Sequence, residues 1–323
     1  YKMSVKYIYD FEKPLIDIQT QIDELESTSL KTGLNVALKV NDLKQILHQE
    51  TIQIYSNLSR WQKVQLSRHP DRPHTKDYIE SITEYWFELH GDRKFGDDKA
   101  IISGIAKIDD IKVAIIGQEK GRGTKEKMDR NFGMPRPEGY RKALRVMKLA
   151  EKFNFPVITL IDTPGAYPGI GAEERGQAEA IATNLFEMSA LKVPMISVVI
   201  GEGASGGALA IGLTDKILCM ENTWYSVISP EGCASILYRD AGMSEKAAES
   251  MKVTSIDLYE MGIADEIIKE PIGGAHRNYK ESAKNVKESI LNNILNLKQL
   301  SPDTLIEQRK FKYDKIGAWT TNG

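Results

Sequence analysis

The sequence is poor in cysteine and histidine, and its apolar runs are short. Two cysteines and five histidines occur among 323 residues. Cys219 and Cys233 are isolated in apolar segments, so they fit neither a disulfide framework nor a paired-cysteine zinc site. We expect a reducing compartment and no metal ion on this chain. The longest apolar runs are about eight residues, well short of the roughly 20 that cross a bilayer.

The excess of charge is also small. The formal net charge is −2 at pH 7, which gives no electrostatic reason to expect a nucleic-acid or membrane partner. A hydrophobic content of 41% and a charged content of 27% are typical of a globular protein. The first residues, YKMSVKYIYD, lack the apolar core of a signal peptide, although the start at Tyr1 leaves open that an upstream targeting segment has been removed.

Apolar residues at spacings of three and four predict helices from Phe11 to about Trp61, with a break at Gly33 and Asn35. The apolar face of these helices packs either on the same chain or on a partner. The proline- and histidine-rich segment SRHPDRPHT (67–75) then marks a boundary. We therefore expect a helical arm over 1–75, a main domain over 76–300 and a polar, partly ordered tail over 301–323.

The main domain alternates apolar strands with helices. Strands are predicted at 101–108, 111–120, 156–163, 193–200 and 216–220, and helices at 140–153, 172–191, 231–239, 244–252 and 279–299. This pattern indicates an α/β fold with a mostly parallel sheet buried on both faces. Three strands end in glycine-bearing loops, GQEKGRG, DTPGAYPG and GEGASGG. We expect a ligand site where these loops meet at one edge of the sheet.

The stretch GEGASGGALAIG (201–212) consists almost entirely of small residues. Small residues after a buried strand indicate that something approaches the backbone closely. Tight packing of a helix on a strand explains the part from Ala208 to Gly212. It does not explain the pair Gly206-Gly207 at the start of the turn, and three functional interpretations of that pair remain open.

The first interpretation is dinucleotide binding. Gly201, Gly203 and Gly206 satisfy G-x-G-x-x-G after a strand. Glu221 follows the next strand, at the place of a carboxylate that binds ribose. Against this interpretation, such a fingerprint usually opens a domain, whereas here it lies two-thirds of the way along the chain.

The second interpretation is an α/β serine hydrolase. Ser205 lies at the centre of G-x-S-x-G on a strand-to-helix turn, and Asp265 and His276 follow it in the order of the hydrolases. The weak point is the histidine. His276 lies in a predicted loop, PIGGAHRNYK, where a single histidine is more often a surface or capping residue.

The third interpretation needs no side chain. The N–H groups of Gly206 and Gly207 form the first turn of a short helix and face a developing negative charge. The turn at Gly165-Ala166 offers a similar arrangement at the previous strand end. Only Asp162 is placed in these loops as a possible acid or base, and it could equally cap the turn. A chemistry that needs only an oxyanion hole explains this lack.

Beyond any single motif, the chain resembles a known family over residues 10 to about 276. The matching segments, in order, are DFEKPL (10–15), SRHPDRP (67–73), ELHGDR (88–93), GQEKGR (117–122), RNFGMPRPEGYRKALR (130–145), IDTPGAYPG (161–169), EERGQAEAIA (173–182), LKVPMISVVIGEGASGGALAIG (191–212), SVISPEGCASILY (226–238) and EPIGGAH (270–276). The family is the alpha subunit of the carboxyltransferase component of the multi-subunit acetyl-CoA carboxylase of bacteria and plastids. One departure is Ala204, where much of the family has glycine.

The resemblance implies a crotonase-like (ClpP/crotonase) spiral of ββα units with an N-terminal helical arm. It implies transfer of a carboxyl group from carboxybiotin, held on a biotin carboxyl carrier protein, to acetyl-CoA, which gives malonyl-CoA for fatty-acid biosynthesis. The implied partners are a beta subunit that bears a zinc ribbon, in an α2β2 heterotetramer, and biotin carboxylase in the larger complex. The implied location is the bacterial cytoplasm or the plastid stroma.

The resemblance also implies roles for residues of this sequence. The amides of Gly206 and Gly207 stabilise negative charge on the ureido oxygen of biotin, while the biotin nitrogen takes a proton from acetyl-CoA. No protein side chain then acts as the base. The substrate-binding residues that the resemblance implies around these amides are Gly203, Ser205, Gly165, Ala166 and Tyr167.

A basic loop completes the predicted site. Its members are Lys120, Arg122, Lys125, Arg130 and Arg136. We expect this loop to reach CoA phosphates, chiefly through Lys120, Arg122 and Arg130, with a solvated charged loop as the alternative. His276 is expected to be structural.

Overall fold

The computed structural model of this protein describes residues 7–317. The parts of the predicted arm and tail at 1–6 and 318–323 lie outside the described residues. The N-terminal helices are α1 (Lys13–Thr32), α2 (Ala37–Ser56), α3 (Arg60–Ser67) and α4 (Thr75–Ile82). The later helices are α5 (Gly123–Asp129), α6 (Pro137–Lys152), α7 (Ile170–Glu174), α8 (Gln177–Ala190), α9 (Ser205–Leu209), α10 (Pro230–Leu237), α11 (Ser244–Met251), α12 (Ser255–Glu260), α13 (Tyr279–Leu297) and α14 (Pro302–Asp314). None of the helices within 7–317 has the length and apolar content that crossing a membrane requires.

The strands form one mixed sheet. They are β1 (Tyr85–Glu88), β2 (Ile101–Ile108), β3 (Ile111–Gln118), β4 (Val157–Thr163), β5 (Met195–Ala204), β6 (Lys216–Met220), β7 (Trp224–Ser226) and β8 (Glu266–Ile268). The order in the sheet is β1-β2-β3-β4-β5-β6-β8, and β7 pairs with the far end of β5. β1, β2 and β3 are antiparallel neighbours, whereas all pairings from β3 to β8 are parallel. The predicted hairpin and the predicted parallel strands are therefore confirmed.

Both faces of the sheet are buried, as the continuous apolar strands predict. Side chains of β2 to β6 alternate between two apolar clusters because successive residues of a strand point to opposite faces. One cluster includes residues of α4 and α13, and the other includes residues of α6 and α8. The carboxyl ends of β3, β4 and β5 thus lie side by side, with the glycine loops following them.

The arm is attached to the main domain at its base. Glu12 is buried and accepts hydrogen bonds from Tyr55 Oη (2.6 Å) and Arg277 Nη2 (2.8 Å). The break between α1 and α2 is confirmed, since Gly33 has a left-handed φ of 71°. Away from the base, Leu30 and Leu38 are 90% and 84% exposed. The arm therefore packs on its own chain at one end and exposes apolar side chains at the other.

Two predicted elements differ from the structure. The predicted helix over 172–191 is two helices, α7 and α8, because Gly176 between them has a left-handed φ of 80°. The prediction of a partly ordered tail is wrong for α14. Buried Arg309 of this helix donates to the carboxylate of Asp215 at 2.8 and 3.0 Å. The polar sequence of α14 did not predict a helix, because the ion pair between Arg309 and Asp215 that holds it is buried only in the folded chain.

Candidate active site

A five-residue helix, α9, begins directly where β5 ends. Ser205, its first residue, has a left-handed φ of 55°, which turns the chain sharply out of the sheet. The N–H groups of the first turn of a helix have no intrahelical acceptor. Gly206 and Gly207 belong to this turn, so their N–H groups have no acceptor within α9. The structure thus contains the short glycine-led helix that the sequence predicts.

The turn after β4 touches the turn after β5. A Cβ atom on Gly207 would lie 2.4 Å from Ala166 N and 2.5 Å from Gly165 C, closer than real Cβ atoms approach other atoms. Gly207 therefore has no room for a side chain. A Cβ atom on Gly206 would lie 3.6 Å from its nearest neighbour, Ile181 Cδ1, which is ordinary contact. Close packing accounts for the glycine at 207 but not for the glycine at 206.

Gln118 is the last residue of β3. Its side chain connects Asp162 at the end of β4 with Gly207 in α9. Its side chain is fully buried. Nε2 donates to the carbonyl of Gly207 at 2.7 Å, and Oε1 accepts the backbone N–H of Asp162 at 3.1 Å. Because α9 is so short, the Gly207 carbonyl depends on this side chain for a partner. Gln118 therefore fixes the orientation of the helix that presents the free amides.

Gln118→Met is expected to lower both the stability and the activity of the protein. The change leaves the Gly207 carbonyl and the Asp162 N–H buried without partners, at a cost of about 1–3 kcal/mol each. A turn that shifts as a result should reduce kcat by about tenfold to a hundredfold. Urea unfolding and carboxyl-transfer assays measure the two effects. Gln299→Met, at an exposed glutamine, is the control, and equal behaviour of the two variants would contradict the assigned role.

A buried cluster of charges lies next to these turns. Lys120 Nζ is 2.7 Å from Asp162 Oδ1 and 2.7 Å from Glu202 Oε1. Arg68 Nε is 2.6 Å from Glu202 Oε2, and its Nη1 is 2.5 Å from Glu231 Oε1. Burial acts to raise the pKa of Glu202, but Lys120 and Arg68 outweigh it and the net pKa is lowered. Glu202 is therefore a carboxylate at neutral pH and holds both cations.

Asp162 belongs to this cluster. Its Oδ1 accepts the backbone N–H of Glu202 at 3.1 Å, and a Cβ atom on Gly201 would lie only 2.2 Å from the same oxygen. The pairing register of β4 and β5 shifts at this point, since Ile161 pairs with Val199 and the next pair begins at Thr163. Asp162 therefore stabilises an irregular strand pair, and its ion pair leaves it poorly suited to act as a free acid or base.

An apolar pocket of 330 Å³ adjoins the glycine-led helix. Its wall consists of Ser205, Gly206, Leu209, Ile217, Tyr225, Ser226, Val227, Leu258, Ile263, Tyr313 and Ile316. Val227 at the rim is 85% exposed. Tyr313 belongs to α14, and its hydroxyl donates to the carbonyls of Gly212 (3.2 Å) and Thr214 (3.1 Å). The pocket can therefore hold an apolar ring system beside the first turn of α9.

The other predicted substrate-binding residues lie at different places. Gly203 lies within β5, where a Cβ atom would be 2.7 Å from Tyr225 Cδ2, so this glycine makes room for a tyrosine of the pocket wall. Tyr167 lines a separate pocket with Arg136. Gly165 and Ala166 contact Gly207, as described above. Their predicted contacts with substrate stay predictions.

The three basic residues predicted at CoA phosphates already have partners in this chain. Lys120 belongs to the buried cluster. The Arg122 Nη2 donates to Asp77 Oδ2 (2.8 Å) and Tyr279 Oη (2.9 Å). Arg130 Nε donates to Glu126 Oε1 at 3.0 Å. These side chains therefore have less capacity for a ligand than the sequence suggests, and their role at CoA stays a prediction.

The residues proposed for a serine hydrolase do not assemble. Asp265 accepts from Lys216 Nζ (3.1 Å) and from the Ile217 N–H (2.8 Å). His276 stacks on His69 with ring centroids 3.8 Å apart. Burial lowers the pKa of His276 to about 2, so the ring is neutral. Among the described residues, no hydrogen bond links Ser205 to either group.

The dinucleotide interpretation fails for a different reason. Gly201 and Gly203 lie within strand β5, so the fingerprint is not a loop that wraps a diphosphate. Glu221 pairs with Lys269 Nζ at 3.0 Å and accepts the Glu270 N–H at 3.2 Å. Gly201, Gly203 and Gly206 therefore match the sequence pattern of a dinucleotide-binding loop, but they do not form such a loop.

Comparisons with known proteins identify the family of this chain. A family model described as "Acetyl co-enzyme A carboxylase carboxyltransferase-like" matches residues 8–317. A protein of Xanthomonas axonopodis pv. citri named acetyl-coenzyme A carboxylase carboxyl transferase subunit alpha is 54% identical over 317 residues, which are 98% of this chain and 99% of that protein. The chain belongs to this family. A Methylococcus capsulatus protein of the same name is 52% identical and covers 95% of each chain. The prediction of a carboxyltransferase alpha subunit is confirmed, and an alpha subunit implies a beta-subunit partner.

Solved structures agree on the fold. A transcarboxylase 12S structure with methylmalonyl-CoA bound is 18% identical, with a TM-score of 0.55 over 78% of this chain and 44% of that chain. The beta subunit of P. aeruginosa geranyl-CoA carboxylase is 15% identical, with a TM-score of 0.54 over 81% and 47% of the two chains. The predicted crotonase-like α/β fold of the family is confirmed. Within residues 7–317, no group of three or more His, Cys, Asp or Glu side chains is arranged to hold a metal ion.

Four residues around the site are not predicted by any sequence motif: Gln118, Arg68, Glu202 and Glu231. Gln118 and Glu202 nevertheless lie in the glycine-bearing strand ends. The available signal was a polar residue at the end of a continuous apolar strand, which in a buried sheet requires a partner.

Proposed function

We propose that this chain is the alpha subunit of an acetyl-CoA carboxyltransferase and transfers the carboxyl group of carboxybiotin to acetyl-CoA, forming malonyl-CoA. The observation that carries the proposal is the first turn of α9, in which Ser205 and Gly206 line an apolar pocket of 330 Å³ and Gly207 follows directly. Free amides next to an apolar pocket suit a bound ring that develops negative charge on an oxygen. The names of the most similar relatives support the same reaction.

The residues present fit a biotin group that is carried by another protein. Carboxybiotin supplies the carboxyl group and leaves negative charge on its ureido oxygen when that group departs. The N–H groups of Gly206 and Gly207 donate to this oxygen, and each such donor contributes about 3 kcal/mol to the stability of the transition state. Tyr225 and Leu258 in the pocket wall exclude water, which strengthens these hydrogen bonds.

Other residues of this chain hold the amides in place. Gln118 orients α9 through the Gly207 carbonyl, and the ion pairs of Lys120 hold the ends of β4 and β5 together. Gly165 and Ala166 support the same turn by close contact. We assign no proton transfer to a side chain of this chain, because Asp162, the acidic residue closest in sequence to these turns, is bound in the charged cluster.

We also propose the assembly and the location of the enzyme. The exposed leucines of the arm, Leu30 and Leu38, suit a contact with the beta subunit in an α2β2 heterotetramer. The biotin carboxyl carrier protein and biotin carboxylase would complete the system. The proposed location of the enzyme is a bacterial cytoplasm or a plastid stroma. The bacterial relatives support the first of these.

Formation of acetyl-CoA from malonyl-CoA and a free biotin derivative tests the proposal in the reverse direction. The assay compares this chain alone, a beta subunit alone, and the two together. We propose that the active site is shared between this chain and the beta subunit, and we therefore expect activity only in the pair. Full activity of either subunit alone would contradict the shared site, and an inactive, fully assembled pair would contradict the proposed reaction.

Ser205→Ala distinguishes this reaction from the hydrolase alternative. The proposed carboxyltransferase uses the amides of Gly206 and Gly207 and not the Ser205 hydroxyl, so the variant in the pair should retain activity within about threefold of the unmodified protein, an effect typical of a side chain outside the transition state. A serine hydrolase would lose its nucleophile altogether. Covalent labelling of Ser205 by an active-site serine reagent, together with loss of activity in the variant, would favour the hydrolase.

A further inference from the structure

Three consecutive residues of the loop between α5 and α6 have left-handed backbone conformations. The φ angles of Asn131, Phe132 and Gly133 are 48°, 56° and 79°. This region is unfavourable for residues that carry a side chain, and it is rare for a bulky residue such as phenylalanine. Strained conformations of this kind persist only where the surrounding structure fixes them, and they are common near functional sites. The segment 131–133 therefore needs an anchor in the surrounding structure.

The anchor is Thr163, the last residue of β4. Its side chain is fully buried. Its Oγ1 lies 2.6 Å from the carbonyl oxygen of Gly133 and 2.8 Å from that of Gly165, and it accepts the backbone N–H of Gly165 at 3.1 Å. A hydroxyl has one proton to donate, and the shorter distance assigns this proton to the Gly133 carbonyl. Thr163 thus joins the left-handed segment to the turn that follows β4.

A second set of hydrogen bonds joins the same two segments further along the chain. The carbonyl of Pro135 accepts the backbone N–H of Tyr167 at 3.0 Å. Gln177 Nε2 donates to the carbonyl of Pro135 and to the carbonyl of Tyr167, both at 2.9 Å. Residues 133–135 are therefore bonded to both ends of the turn formed by residues 163–167.

The 163–167 turn limits the position of α9. A Cβ atom on Gly207 would lie only 2.4 Å from Ala166 N, so the backbones of the two turns are in close contact. If the 163–167 turn moved, the first turn of α9 would lose the surface on which it packs. Gln118 holds the Gly207 carbonyl, whereas Thr163 acts on the turn beside it.

We propose that Thr163 is a positioning residue for carboxyl transfer. Its hydroxyl fixes the 163–167 turn against the strained segment 131–133. The fixed turn keeps the N–H groups of Gly206 and Gly207 in place. This role rests on the proposed function, in which those N–H groups stabilise negative charge on biotin. It is specific to the hydroxyl, which both donates and accepts a hydrogen bond.

Steady-state kinetics of the pair with the beta subunit tests the role in catalysis. Thr163→Val keeps the shape of the side chain but removes the hydroxyl. We expect kcat to fall about tenfold to a hundredfold and KM for malonyl-CoA to stay within about threefold, because misplaced amides affect the transition state more than substrate binding. Thr163→Ser retains the hydroxyl and should keep kcat within about threefold. Equal losses in the two variants would overturn the proposal, since the methyl group would then be what matters.

Thr223→Val is the matched control for general destabilisation. Thr223 is also fully buried, and its Oγ1 donates to the Met220 carbonyl at 2.7 Å. This bond involves neither the 131–135 segment nor the 163–167 turn. Both valine variants should unfold at a lower urea concentration than the unmodified protein, but kcat of Thr223→Val should stay within about twofold. A similar fall in kcat in both would overturn the proposal, because loss of stability would explain it.

Hydrogen exchange of the full chain measures the role of Thr163 independently of activity. Loss of the hydroxyl should raise the exchange rates of the Gly165 and Tyr167 amides about tenfold in Thr163→Val, and Thr163→Ser should leave them unchanged. Unchanged exchange in Thr163→Val would overturn the proposal. An unmodified pair without carboxyl-transfer activity would refute the proposed function, whereas the exchange rates would still decide whether Thr163 holds the turn.

Gln177→Leu is the second variant if Thr163→Val does not fold. It removes the side chain that donates to the carbonyls of Pro135 and Tyr167, and so loosens the other end of the same contact. The exchange rate of the Tyr167 amide should rise, and kcat should fall about threefold to tenfold. No change in either quantity would overturn the positioning of the turn by residues 133–135, and with it the role of Thr163.

Discussion

Replacement of Gly206 by proline is expected to lower kcat for carboxyl transfer by about 10²- to 10³-fold in the pair with the beta subunit, the typical cost of removing one oxyanion-hole donor. Proline has no N–H group, so the change removes one of the two amides that face the developing charge. Gly206 is the second residue of α9, where a helix tolerates a missing N–H. Steady-state kinetics in the reverse direction measures the effect.

Gly206→Ala is the matched control for the proline variant. It keeps the N–H group, and its Cβ atom has ordinary contact with Ile181 at 3.6 Å. We expect its kcat to fall much less than that of the proline variant. Because proline also strains the preceding residue, and Ser205 already has a φ of 55°, both variants require an unfolding curve. Equal losses of kcat in the two variants would show that space, and not the amide, is what Gly206 provides.

Lys120→Met is expected to destabilise the protein by about 3–5 kcal/mol, the usual cost of leaving buried charges without their partner. Lys120 contacts both Asp162 and Glu202 at 2.7 Å, and its own side chain is 16% exposed. Methionine replaces the volume of the side chain but not its charge. The remaining cation, Arg68, contacts Glu202 and Glu231 but not Asp162, so Asp162 would lose its counter-ion. The free energy of unfolding from urea titration measures the loss.

Two further variants isolate the electrostatic part of this effect. Lys125→Met removes a positive charge from an exposed position in the same loop and should change the free energy of unfolding by less than about 0.5 kcal/mol. Adding Asp162→Asn to Lys120→Met removes the carboxylate that has lost its counter-ion and should restore part of the stability. A Lys120→Met variant as stable as Lys125→Met would refute the structural role of the cluster.

The fold was predictable wherever the pattern was local. Continuous apolar runs gave the parallel strands β4, β5 and β6, and Gly33 gave the end of α1. The polar composition of α14 did not indicate a packed helix, because the residue that anchors this helix, Arg309, is charged. Arg309 becomes a buried residue only through Asp215, which lies 94 positions earlier in the chain. A pairing of that range leaves no trace in a local pattern.

The site was predictable as far as it consists of backbone. The glycine pair indicated a helix with free amides, and the structure has that helix. The side chains around this helix were not predictable. Gln118 acquires its hydrogen-bond partners only in the folded sheet, where β3 lies beside β4 and the Gly207 carbonyl is 2.7 Å from Nε2. Similarly, the basic loop appears uniform in sequence. Three of its cations bind neighbours in the folded chain, while Arg136 does not.

The position of α14 has a consequence for the order in which the protein is made. Tyr313, in the wall of the apolar pocket, donates to the carbonyl of Gly212, which lies 101 positions earlier. The glycine-led turn and all strands within residues 7–317 are therefore synthesised before this tyrosine. A nascent chain that stalls ahead of α14 lacks the part of the pocket wall that Tyr313 and Ile316 supply. Closure of the pocket thus requires that synthesis has passed α14.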